Sequence, residues 1–104
     1  MAMDEARKKE LNRLHWESKA LLDALADRLP DDVLARLRAY SDAGDWTELV
    51  DGLCAELVQR RVEVTAAERD ALAGVLDLFQ TPKAAQFTHV NDAKGTVEAL
   101  NVAE

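Results

Sequence analysis

Leu11, Leu14, Ser18, Leu21, Leu22, Leu25 and Leu29 recur at steps of three and four along one stretch of the chain. Only a helix brings such residues onto one side of the backbone, because a helix turns every 3.6 residues whereas a strand alternates every two. A stripe this wide has to be covered by other apolar surface. Acids lead and bases follow in the first turns, as the helix dipole prefers. Pro30 pushes Leu29 out of the helical region, so the pattern predicts a helix over about 4–28.

The same reasoning yields three more helices. Leu29-Pro30-Asp31-Asp32 reads as a tight connection into a helix over about 31–42, with Val33, Leu34, Leu37 and Tyr40 on its apolar side and Gly44 as its C-terminal glycine. Asp45 and Glu48 have capping-box spacing and open a helix over about 46–60 that buries Trp46, Leu49, Val50, Leu53, Cys54 and Leu57. Val62-Glu63-Val64 is an extended connector. Thr65 and Glu68 form a second capping box ahead of a helix over about 66–79, which Thr81-Pro82 stops. Four amphipathic helices with short connections predict an all-α fold, an antiparallel bundle over 1–80 within a single domain. Residues 81–104 are less regular: a tail in which Phe87 and Val90 dock on the bundle and Asn91 is a candidate cap for a short fifth helix over 92–100, weakened by Gly95.

Charge narrows the function classes. The net charge is −7 over 104 residues, and residues 23–56 hold nine acidic against three basic groups. Nucleic-acid binding needs the opposite sign, because Lys and Arg neutralise phosphates. The second and third helices have the outline of a helix-turn-helix, but the third carries Asp45, Glu48 and Asp51 and no Lys or Arg before Arg60. No apolar run suits a signal peptide or a membrane span, so a cytoplasmic protein away from membranes is expected. The single cysteine, Cys54, excludes an intramolecular disulfide. Absent isoleucine and abundant Ala, Leu, Asp and Arg suggest a GC-rich bacterial genome.

No motif for catalysis or cofactor binding stands out. Gly44, Gly52, Gly74 and Gly95 are too dispersed for a phosphate-cradling loop. His15 and His89 lie far apart and Cys54 has no cysteine companion, so no metal and no cofactor are expected. Asp42, Asp45 and Glu48 cluster without calcium-loop spacing. Ser18, Ser41 and Cys54 lack a neighbouring base, and neither serine has the Asp-Ser-Leu context of an acyl carrier protein. No catalytic residue is assigned. An enzyme of unrecognised class would need His15 beside a carboxylate from another helix.

Surfaces remain. Opposite the buried stripe of the third helix stand Glu48, Asp51, Gly52, Ala55 and Gln59, a smooth acidic face that Asp42 and Asp45 extend. It is either a docking surface for a basic partner or an ordinary solvated face. Trp16 falls nearly opposite the leucine stripe of the first helix; either the C-terminal tail covers it, or it is an exposed anchor for a partner.

Residues 33–79 also carry a family pattern. Asp42-Ala43-Gly44-Asp45-Trp46, then Leu49, Leu53 and Leu57, then Val62-Glu63-Val64-Thr65-Ala66-Ala67-Glu68 and the leucine-rich helix behind it resemble small helical bacterial immunity proteins of the MafI type. The resemblance implies a non-catalytic inhibitor that covers a cognate toxin from a polymorphic or contact-dependent system, meeting a basic toxin domain through Asp42, Asp45, Glu48 and Asp51. A homo-oligomeric or adaptor module, packing a partner helix on Gly52 and Ala55, is the alternative.

Overall fold

The computed structural model describes residues 5–79 and 83–103. The described residues form six helices and one two-residue strand pair, an all-α fold: α1 (Glu5–Leu25), α2 (Asp31–Ala43), α3 (Trp46–Gln59), β1 (Glu63–Val64), α4 (Ala66–Asp77), α5 (Thr88–Asn91), α6 (Ala93–Ala99) and β2 (Asn101–Val102). The start expected at Asp4 and the stop at Thr81-Pro82 lie outside the described residues.

The breaks follow local chemistry. After α1 the chain tightens into a 3₁₀ turn, Ala26–Arg28, and Leu29 is extended (φ −114, ψ 145) ahead of Pro30. At the end of α2, Gly44 adopts the left-handed conformation (φ 74), and the N–H of Asp45 donates back to Tyr40 O at 2.9 Å. At the start of α4 the capping box closes: Glu68 N–H donates to Thr65 Oγ1 (3.1 Å) and Thr65 N–H to Glu68 Oε1 (2.8 Å).

One apolar cluster joins the helices. Leu22 and Leu25 of α1, Leu37 of α2, Leu49, Leu53 and Leu57 of α3, and Leu72 and Leu76 of α4 are almost wholly buried. Burying each such side chain contributes about 1.5–3 kcal/mol. α1 packs on α2, α3 and α4, and α2 packs on α3.

The tail is more ordered than its sequence suggests. α5 packs on α3, and α6 on α4 and α3, with Val90, Thr96 and Leu100 buried. Asp92, not Asn91, caps α6, accepting from Gly95 N–H at 3.1 Å. Asn91 instead braces the segment before α5: Lys83 N–H donates to its Oδ1 (2.7 Å), and its amide donates to the carbonyls of Lys83 and Ala84. The connector at 62–64 is more than an extended link. Its residues Glu63 and Val64 pair in parallel with Asn101 and Val102, and Ala103 N–H donates to Val64 O at 2.8 Å. The preceding Arg61 is a non-glycine residue at positive φ (52), with its carbonyl held by the Asn101 amide at 2.9 Å.

Candidate functional site

The turn between α2 and α3 settles the fate of the acidic residues. An N-cap side chain reaches the third amide of its helix from an extended backbone. Asp45, leaving the left-handed Gly44, instead has φ −86 and ψ 65, and its carboxylate makes no cap bond. The capping box expected of Asp45 and Glu48 therefore does not form. Both side chains are exposed, and neither has an ion pair among the described residues.

They border a cleft of about 280 Å³. Glu10, Leu11 and Leu14 of α1 form one wall, Gly44 through Glu48 a second, and Leu78, Phe79 and Lys83 a third. The Lys83 ammonium lies 5.8 Å from the Phe79 ring centre, within cation–π range. Trp46, expected in the core, packs against the buried cluster and also lines this cleft. Its Nε1–H is shielded from solvent yet has no hydrogen-bond acceptor among the described residues. His15 stands edge-on between the two tryptophans, with ring centres 6.0 Å from Trp46 and 4.9 Å from Trp16.

The other sequence-predicted residues do not gather here. Asp42 lines a separate groove with Lys19, Asp23 and Arg38, where Arg38 is 3.6 Å from Asp23. Asp51 is half-buried and structural: its Oδ1 accepts the backbone N–H groups of His89 (2.9 Å) and Val90 (3.0 Å), holding α5 to α3. Gly52 is half-buried and faces α2, since a Cβ there would stand 3.2 Å from the Leu37 side chain. Ala55 is half-buried beside it. The smooth outward face expected of α3 is thus divided, with its middle used inside the fold. The remaining acid of the helix, Glu56, is neutralised by Arg36 (3.2 Å) and by Arg60.

Trp16 is 63% exposed. The tail does not cover it: Val90 is buried in the core cluster and Phe87 packs against that cluster. Lys19 stands over the indole at 5.9 Å. Glu10 and Lys83 belong to the cleft but escape a reading by local spacing. Glu10 did leave a signal, because it precedes Leu14 by one turn and so places an acid at the edge of an apolar stripe.

No family model, curated protein or solved structure matches this chain. The reading of the cleft therefore rests on its chemistry. Elsewhere the fold shifts several titratable groups. Glu68 is held below the usual carboxylate range, chiefly by its hydrogen bond to Arg28 (2.6 Å). Arg28 and Arg60 are raised by their bonds to Glu68 and Glu56. Burial, assisted by the charge of Asp51, pushes the Cys54 thiol up to about 12, far from a reactive thiolate at neutral pH. Ser18 is buried, with its hydroxyl donating to His15 O at 3.2 Å. Among the described residues no three His, Cys, Asp or Glu side chains are grouped to hold a metal ion, and no helix is long and apolar enough to cross a membrane.

Proposed function

We propose that this chain is a non-catalytic, cytoplasmic binding protein that captures a basic protein partner, in the manner of a bacterial immunity protein neutralising a cognate toxin. One observation carries the reading. Asp45 and Glu48 are exposed, have no ion pair among the described residues and line a cleft of mixed polar and apolar surface, whereas Asp51 and Glu56 further along α3 are engaged within the fold. Uncompensated carboxylates steer a basic surface toward the cleft and speed encounter. The resemblance over 33–79 supplies the toxin as the kind of partner. The helix-packing alternative rests on Gly52 and Ala55, which are both half-buried, with Leu37 of α2 close against Gly52.

The test is a tagged pull-down from native lysate at low and high salt, comparing wild type with Asp45→Lys/Glu48→Lys. Asp51 is left intact because its loss would free α5. Retention of one basic protein by wild type, its loss on charge reversal and at high salt, and inhibition of that protein's activity by stoichiometric wild-type chain are the expected results. A partner that survives both salt and charge reversal, or a chain that recovers only itself, overturns the reading.

A further inference from the structure

Taking the basic-partner reading as its basis, we infer that the cleft beside Trp46 is a socket for a single arginine side chain of the partner, and that Lys83 competes for it from within. At about 280 Å³ the cleft has room for one long side chain. Leu14, Leu78 and Phe79 offer apolar wall to an aliphatic stem, and Asp45 and Glu48 stand exposed at the rim.

An arginine meets both demands. Its stem packs on apolar surface, and its planar head stacks on an aromatic ring while forking to a carboxylate. A lysine ammonium is a compact, strongly hydrated charge that does neither as well. Charge agrees, since Asp45 and Glu48, neither with an ion pair among the described residues, line the cleft against the one ammonium of Lys83. Lys83 shows how a cation is received there: it lies over Phe79 at 5.8 Å, yet forms no ion pair among the described residues. The groove at Asp42 differs, because Lys19 and Arg38 line it and Arg38 already pairs with Asp23.

The experiment is an NMR titration of the full ¹⁵N-labelled chain with acetyl-Gly-Arg-Gly-amide and with its lysine and citrulline counterparts. The indole N–H of Trp46 reports the socket, and that of the exposed Trp16 serves as internal control. Saturable shifts at Trp46 and the amides of 45–49 are expected with the arginine peptide. Citrulline, which keeps the shape and loses the charge, should bind about tenfold more weakly, the equivalent of one charge-assisted contact of about 1.4 kcal/mol. Glu48→Gln should weaken the arginine peptide, and Lys83→Ala should tighten it severalfold while keeping the backbone bonds of Lys83 to Asn91. No saturable shift at Trp46, equal binding of arginine and citrulline, or equal response of the Asp42 groove overturns the socket; this wild-type comparison holds whatever a variant does. Unchanged affinity in Lys83→Ala overturns the competition. If charge reversal abolishes partner capture but the arginine peptide does not bind, the socket fails and the basic-partner reading survives. If the peptide binds but no basic partner exists, the reverse holds.

Discussion

The starts of α3 and α4 share one sequence spacing and two fates. Thr65 has φ −80 and ψ 164, and from that extended backbone its hydroxyl and the Glu68 carboxylate close a reciprocal pair of hydrogen bonds. Arg28 then adds a bond to Glu68 Oε1 and another to Glu63 O, tying the end of α1 to β1 and α4. Asp45 has ψ 65 after a left-handed glycine, and its carboxylate and that of Glu48 stay open beside the cleft. A helix start whose polar groups are satisfied from within serves folding, whereas one whose carboxylates remain unpartnered is free to serve recognition. The contrast predicts that folding and binding separate by site.

The largest effect sharpens the contrast from a third position. Asp51→Ala leaves the half-buried amides of His89 and Val90 without their acceptor, and a cost of about 1–3 kcal/mol is expected in urea denaturation. The Asp45→Asn/Glu48→Gln pair should stay within about 0.5 kcal/mol of wild type in the same assay, as surface changes do. A larger loss in that pair would mean that the open start is structural after all. Next, Thr65→Ala removes the hydroxyl that caps α4 and should cost about 1 kcal/mol while leaving partner affinity unchanged. A drop in affinity would break the separation from the other side.

The smallest effect is set by pH. The folded-state pKa of Glu68 is lowered, so the charged form is favoured by folding. That stabilisation is fully present above the unfolded-state value, about 4.3, and is lost as pH falls through the lower folded value. In Glu68→Gln the stability of the chain should fall less steeply below about pH 4.3 than in wild type. Parallel slopes for the two proteins would show that Glu68 does not contribute to acid sensitivity.

The four long helices were legible because their signals are local. The leucine stripe, Pro30, Gly44 and the Thr65–Glu68 box each act within a few residues, and the helix ends fall close to them. Asp45 and Glu48 had the right spacing but the wrong backbone, and spacing does not specify ψ. The periodicity of α3 alone puts Gly52 on the outer side, because it carries no information about α2, whose Leu37 approaches on that side. α5 is four residues long, too short for a period, and its cap comes from Asp51 on another helix. The β1–β2 pairing has the same character, with two residues on each side meeting across distant sequence. Of the cleft, the acids of the α2–α3 turn were legible and Glu10 left a trace in its place one turn before Leu14, but Lys83 joins it only through packing.

One oxygen of Asp51 receives two successive backbone amides, those of His89 and Val90, from a helix of a single turn. With one acceptor between them, the two amides share a single latch. Any motion that swings α5 away from α3 opens both at once, so their hydrogen-exchange rates should rise and fall together and report the undocking of the tail as one cooperative unit, separately from the opening of the leucine core.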